Sequence, residues 1–382
     1  MSPHRDVKII YGSNMSISLD KLTIRGFKSI RELVDFELAD LNVVVGGNGA
    51  GKSNLISFFK MLRALIDGNL NRYVIEHGGA GDLLFNGRKT TEKMEFETHF
   101  NSRGYRFKLI PTPKDACSLE EEARYYESGL TGWWELGDSH DGTSRMVSEV
   151  TENRSDGQYS KPIYDAISSW QIYHFHDTGS RAGMRHYEII QDNKSLRADA
   201  SNIGPFLLKL KKKHPQEYKD ILNAIRLVTP FFEDFLLEPR ESGNKEEVNI
   251  SWRQNGSDYP MQPYHLSDGS IRFICLATAL LQPMPPAAII IDEPELGLHP
   301  AAIVILAELI QIASQKTQVI IATQSPALMD QFAIEDIIVV NREDGASTFK
   351  RLKEESFSEW LKSYSVGELW TKNVIAGGPV HE

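Results

Sequence analysis

Three short segments of this 382-residue chain hold the residue types that phosphate chemistry needs. Gly46-Gly47-Asn48-Gly49-Ala50-Gly51-Lys52-Ser53 fits the pattern G-x-x-x-x-G-K-[ST]. Its glycines let backbone N–H groups turn inward around phosphate oxygens. Lys52 supplies charge to β and γ phosphates, and Ser53 offers a hydroxyl to Mg2+. Ala288 to Ile291 is an apolar run ending in Asp292-Glu293. Strand alternation sends these two carboxylates to different sides, so Asp292 suits Mg2+, directly or through water, and Glu293 suits the water attacking a γ-phosphate. Leu266-Ser267-Asp268-Gly269-Ser270 stands 25 residues, counted from Ser267, before Asp292 and directly before an apolar helical run. Each segment has a plain structural reading: a glycine turn, a buried strand ending in acids, and a helix N-cap built from Ser and Asp. Their occurrence together favours the chemical one.

The elements around these segments have the required order. Val43 to Val45 reads as a strand and Lys52 to Leu65 as a helix, with apolar Leu55, Ile56, Phe58, Phe59, Met61, Leu62 and Leu65 at helical spacing, so the glycine loop joins strand to helix. Leu22 to Arg25, Val34 to Leu38 and Leu41 to Val45 read as the opening of one sheet, and Met94 to Tyr126 as an antiparallel meander. Gly137 to Lys161, rich in Asp, Ser, Gly and Glu, reads as a mobile surface loop. Beyond it come a helical turn at Ile163 to Trp170, a strand at Gln171 to Phe175 and a mainly helical stretch from Ile203 to Phe235. Strands at Val248 to Trp252, Ala288 to Ile291, Gln318 to Ala322 and Asp336 to Val340 alternate with helices at Ser270 to Leu281 and Ala301 to Ala313. That alternation predicts an α/β fold with a largely parallel sheet.

Composition narrows the function classes. Forty-two basic and 52 acidic residues give a net charge of −10, which argues against a histone-like nucleic-acid binder. Apolar residues at 41% and charged residues at 25% can build a buried core. Two cysteines, Cys117 and Cys275, cannot make a disulfide framework, and the longest apolar stretch, Phe273 to Leu281, is too short to cross a bilayer. With no apolar signal core near the N-terminus, the expectation is a cytoplasmic protein with no membrane contact.

Taken together, the motifs resemble those of ABC-type P-loop ATPases, in the branch that holds SMC, RecF and OLD-like proteins. Leu266 to Ser270 resembles the signature motif in its LSDG form, and Ala288 to Glu293 the Walker B motif. Leu22-Thr23-Ile24-Arg25-Gly26-Phe27-Lys28-Ser29 resembles the opening strand and GFKS turn of SMC-like heads, and Glu295-Leu296-Gly297-Leu298-His299-Pro300 the D-loop. Ile320 to Pro326 resembles the switch strand, where many relatives carry His; this chain has Gln324, which can hydrogen-bond water or phosphate but cannot hold a proton as imidazole does. The resemblance covers most of Leu22 to Val340.

It implies an ABC-type head with a mixed sheet, an antiparallel meander and an inserted helical lobe. Its divisions would be a lead-in (1–16), an N-terminal ATPase lobe (17–136), a mobile loop (137–162), a strand with a helical lobe (163–247), a C-terminal ATPase lobe (248–345) and a tail (346–382). It also implies a homodimer sandwiching two ATP and Mg2+. Gly46, Asn48, Gly49, Ala50, Gly51, Lys52, Ser53 and Asn54 would hold nucleotide from one subunit, and Ser267, Asp268 and Gly269 from the other. Ser53 and Asp292 would bind Mg2+; Glu293, Gln324 and Ser267 would act in catalysis. The implied setting is DNA repair or anti-phage defence. The 214 residues from Ser53 to Ser267 are too few for an SMC arm and more than a transporter ATPase subunit needs. Only 42 residues follow Val340, so a nuclease or toxin effector is expected on a separate chain. A slow nucleotide-gated sensor and, third, a transporter ATPase subunit are the alternatives.

Two further segments have open readings. His174-Phe175-His176-Asp177 offers a metal site, or, through His176 and Asp177, an equivalent of the Q-loop, which reaches Mg2+ or the attacking water, or plain structure at a strand end. Lys209, Lys211, Lys212 and Lys213, followed by His214, form a basic run that suits either a DNA backbone or a solvated helix face. Trp133, Trp134 and Trp170 read as packing residues.

Overall fold

The computed structural model describes residues 17–127, 132–139 and 141–375; the expected lead-in lies outside them. Strands β1 (Lys21–Phe27) and β2 (Ile30–Glu37) form an antiparallel hairpin, after which β3 (Leu41–Val45) enters a different sheet. The three opening strands therefore do not form one sheet. Helix α1 (Lys52–Ile66) follows the glycine loop. The first sheet is then completed by β4 (Met94–Phe100), β5 (Arg103–Pro111), β6 (Cys117–Tyr126) and β7 (Gly132–Ser139), in the order β2-β1-β4-β5-β6-β7. The expected meander is present.

The stretch expected as a loop is largely ordered structure. It holds α2 (Arg145–Thr151) and the first five residues of α3 (Gly157–Ser169). Buried Glu122 on β6 explains part of this. Its carboxylate accepts from Tyr105 Oη at 2.8 Å, Ser144 Oγ at 2.6 Å and the N–H groups of Arg145 (2.7 Å) and Met146 (3.2 Å), which fixes the start of α2. Burial raises the carboxyl's pKa, and those four donors oppose it.

After β8 (Gln171–Tyr173), a helical lobe holds α4 (Ile203–Lys213) and α5 (Pro215–Val228), with Pro215 in the first helical turn, where its missing N–H costs nothing. The strand expected at Val248 to Trp252 is interrupted, its ends belonging to two short separate strands. Helix α6 (Asp268–Leu280) leads to β9 (Ala288–Asp292), and α7 (Pro300–Ser314) to β10 (Gln318–Thr323), β11 (Ile337–Glu343) and β12 (Ala346–Arg351). The second sheet runs β12-β11-β3-β10-β9-β8, parallel from β11 to β8, with β12 antiparallel at its edge. The segment expected as a tail thus contributes an edge strand.

Alternation along the parallel strands explains the layering. Val43 and Val45 on β3, with Ile289 and Ile291 on β9, join a core with α4 to α7. Val44, Ile290 and Ile320 face the other way, into a core shared with α1, α3 and the inner face of the antiparallel sheet. No helix among the described residues is long and apolar enough to cross a membrane.

Candidate functional site

Strand order assembles the site. The neighbours β3, β10 and β9 all point the same way, so the glycine loop, Gln324 and Asp292-Glu293 emerge at one edge of the sheet, the place where open α/β sheets bind ligands. Gly51 precedes α1 with φ 122°, and a Cβ there would lie 2.0 Å from Ser347 Oγ, so only glycine fits. Ser347 Oγ in turn bonds Ala50 O and approaches Ser29 Oγ at 2.6 Å, while Asn54 Nδ2 donates to Ser29 Oγ at 2.6 Å. Arg342 donates to Gly49 O at 3.3 Å. The loop is clamped from outside by β1–β2 and β11–β12 residues, which leaves its N–H groups preorganised for an anion.

Lys52 is 6% exposed and donates to Gly46 O at 2.6 Å and Gly47 O at 3.2 Å. Burial lowers its pKa, and Glu293, Asp292 and Glu295 push it back up. Ser53 is exposed at the helix start. Asp292 is held above the usual carboxylate range by burial and then by Glu293, with His176, Lys60 and Lys52 opposing. A half-buried carboxylate beside a second carboxylate suits a hard divalent cation with oxygen ligands. Among the described residues no group of three His, Cys, Asp or Glu side chains can hold a metal ion. A cation fitting here takes one carboxylate, a hydroxyl and phosphate oxygens, as Mg2+ does.

Glu293 adopts φ 45°, an uncommon conformation for a residue with a Cβ. Its N–H bonds Ala322 O at 2.8 Å, and its Oε1 accepts from Gln324 Nε2 at 2.7 Å. Next to it, Glu295 bonds Thr323 Oγ1 through one carboxylate oxygen, and its other oxygen is buried without a partner. Ser29 and Glu295 stand in the sequence only as parts of the GFKS-like and D-loop-like segments, with no role assigned, and nothing in the sequence marks Ser347, Arg342 or Lys60.

The His174 to Asp177 segment lies at the end of β8. His174 and His176 rings lie 4.1 Å apart, but they belong to no metal-holding group, so the metal reading falls. Strand β8 pairs with β9, and His176 Nε2 donates to Asp292 O at 3.0 Å, which puts its ring beside the paired acids. Asp177 is exposed and accepts from Gly179 N–H at 3.1 Å, closing its own turn.

Ser267 caps α6 by accepting from Ser270 N–H at 3.1 Å, and Asp268 pairs with Arg185 at 2.9 Å. A Cβ at Gly269 would meet Gly297 O at 2.6 Å, so this glycine lets the helix start lie against the turn after Glu295. One turn along, buried Arg272 donates to Phe175 O at 2.9 Å, to His176 O at 3.1 Å and to Leu296 O. It ties α6 to the ends of β8 and β9. In the basic run, Lys209 and Lys211 are engaged internally, the first with Asn193 O and Lys194 O, the second with Asp234 and Phe235 O; Lys212 and Lys213 are exposed. Trp170 is buried against Phe59, and Trp133 lies across Gly104, as packing residues do.

Residues 41–330 match the family described as AAA domain, putative AbiEii toxin, Type IV TA system. Among solved structures, an Smc head bound to the C-winged helix domain of ScpA aligns with TM-score 0.59 and 19% identity, over 90% of this chain and 99% of that one. An Smc head with an extended coiled coil, bound to the C-terminal domain of ScpA derived from Pyrococcus furiosus, aligns with TM-score 0.54 and 17% identity, over 90% and 98%. At such identities the likeness shows the fold. No curated protein matches the chain.

Proposed function

Because the chain belongs to the AAA-domain family described as putative AbiEii toxin, Type IV TA system, and has the α/β fold of an SMC-type ABC ATPase head, we propose that it binds and hydrolyses ATP in a sandwich dimer. The observation that carries this reading is the convergence of Lys52, Asp292, Glu293 and Gln324 at one sheet edge, with Gln324 bonded to Glu293.

In this reading the N–H groups of Gly46 to Lys52 and the Lys52 ammonium bind the β and γ phosphates, with Asn48 and Asn54 at the loop's two shoulders. Ser53 and Asp292 hold Mg2+, which when bound neutralises charge on the β and γ oxygens. Glu293 takes the proton from the attacking water, and Gln324 fixes the carboxylate's orientation. His176, beside Asp292, is the Q-loop equivalent, with Asp177 shaping the turn after it. Ser267, Asp268 and Gly269, at the start of a 13-residue helix, meet the γ-phosphate bound by a second copy. Only the closed dimer then completes both sites, so ATP favours closure by differential binding.

We place the activity in DNA repair or anti-phage defence in the cytoplasm, with a separate nuclease or toxin as effector and Lys212 and Lys213 as the DNA contact. A second reading draws on Gln324: a neutral amide orients Glu293 but cannot relay its proton, which suits slow turnover and a nucleotide-gated sensor. Steady-state hydrolysis by wild type and Glu293→Gln, with and without duplex DNA at low salt, tests both. DNA-stimulated turnover that the variant loses supports the first; slow, DNA-indifferent turnover supports the second; unchanged turnover in Glu293→Gln sinks the assignment of the base.

A further inference from the structure

A cleft of about 400 Å3 opens at the opposite edge of the parallel sheet from the glycine loop. Gln171, which starts β8, and residues 282–286, which precede β9, line it, whereas the glycine loop follows the far end of β3. The strands run parallel, so the two sites are separated by at least the length of a five-residue strand, about 16 Å.

The cleft has one cationic wall and one apolar wall. Lys194, Lys209 and Arg63 supply the first, with His214 beside them. Among the described residues no Asp or Glu lines the cleft, in a chain whose net charge is −10. Two of these cations are held in place. Lys209 Nζ sits 2.9 Å from Asn193 O and 3.1 Å from Lys194 O and lies over the Phe206 ring, and Arg63 bonds Trp170 O at 2.7 Å. Asp67 pairs with Arg63, whereas the partners of Lys209 are uncharged carbonyls, so the Lys209 charge is not cancelled. Lys194 is exposed, and Ser168, also lining the cleft, has a hydroxyl oxygen buried without a hydrogen-bond partner. A buried, unpaired hydroxyl carries a desolvation cost that an acceptor from a ligand removes.

The facing wall is Pro283, Met284, Pro285 and Pro286, with Met284 71% exposed. Three prolines fix the backbone, and the segment is pinned at both ends: Gln282 Nε2 donates to Tyr173 Oη at 3.2 Å and Thr317 Oγ1 to Pro286 O at 2.5 Å. An exposed, polarisable thioether on a rigid loop gives a flat ligand surface something to lie on, with the backbone part of the ordering cost already met.

We propose that this cleft binds a small organic phosphate of about nucleoside-monophosphate size, its phosphate toward Lys194, Lys209 and Ser168 and its flat apolar portion against Met284. The volume falls within the range of small-molecule sites. A small ligand is favoured because the cleft is bounded by the 282–286 loop and limited in volume, whereas the exposed Lys212 and Lys213 further along α4 are outside its lining.

Titration of full-length protein with fluorescent N-methylanthraniloyl-GMP tests this in two backgrounds, wild type and Lys52→Ala, at low salt. Sub-millimolar binding that survives Lys52→Ala and weakens at least tenfold in both Lys194→Glu and Met284→Asp supports the site. Both positions are exposed, so melting temperatures close to wild type are expected and confirm folding. Binding lost in Lys52→Ala alone, or unchanged by the two cleft variants, overturns the proposal. So does capture of a glutamate-rich decapeptide, sensitive to Lys194→Glu, in a protein that ignores the nucleotide; that result makes the cleft a peptide-docking site.

Discussion

The two six-stranded sheets share an apolar layer but spend their side chains differently. In the parallel sheet β3 and β10 are buried along their whole length, so mid-strand residues are committed to packing and chemistry can begin only where the strands end. In the antiparallel sheet β4 alternates buried Met94, Phe96, Thr98 and Phe100 with half-exposed Glu95, Glu97 and His99. Its outer face is a lattice of ion pairs, including Arg25–Glu32, Lys93–Glu95, Arg106–Glu121 and Lys108–Glu121. Charge is abundant there and close-paired, whereas at the edge of the parallel sheet a few charges sit half-buried with unlike needs. Function follows the second arrangement, because unbalanced charge is what a ligand can complete.

Substitutions at the parallel edge and in the antiparallel sheet should therefore move different observables. The largest effect is expected from Lys52→Ala, a loss of ATP affinity of about 1,000-fold, about 4 kcal/mol, with unfolding midpoint in urea preserved; undiminished affinity in a nucleotide titration would remove the phosphate loop from the site. Next, Glu122→Ala strips four donors of their acceptor inside the antiparallel sheet, for a cost of about 3 kcal/mol in urea unfolding with ATP affinity unchanged. A loss below about 1 kcal/mol would mean that α2 does not depend on this carboxylate. Gln324→Ala is expected to lower turnover about tenfold, about 1.4 kcal/mol, at constant ATP affinity, since it removes the donor to Glu293 and no phosphate contact. A change in affinity instead of rate would place the amide on the nucleotide.

The parts of this arrangement visible in the sequence were those built from contiguous residues. The glycine loop, the apolar run before Asp292 and the cap at Ser267 each announce themselves within eight residues. The clamp on the loop does not, because Ser29 and Ser347 are 318 positions apart and an isolated serine carries no pattern. The 137–161 stretch reads as a loop on composition, yet it holds β7's end, α2 and the start of α3. A buried acid on β6 organises α2, and long-range hydrogen bonds of that kind override weak local propensity. The edge strand β12 was hidden for a related reason: its Ser, Thr, Lys and Arg residues suit a sheet edge and so lack a clear apolar alternation. Gln324 and Glu293 were each legible at the end of an apolar strand, but their contact follows only from the parallel pairing of β9 with β10.

The smallest predicted effect tests the other half of the contrast. Lys108 Nζ lies 2.5 Å from Glu121, and both side chains keep about a quarter to a third of their surface in water. Solvent screening leaves such a pair little net energy, and Arg106 stays beside Glu121 at 3.2 Å when the lysine is removed. Lys108→Ala should therefore cost no more than about 0.5 kcal/mol in urea unfolding, and the difference from wild type should shrink further in 1 M salt, where the Debye length is about 3 Å. ATP affinity and turnover should not change. A cost above about 1.5 kcal/mol that persists in high salt would show that the outer lattice behaves as buried structure, and the division between a sheet that packs charge and a sheet edge that offers it would fail.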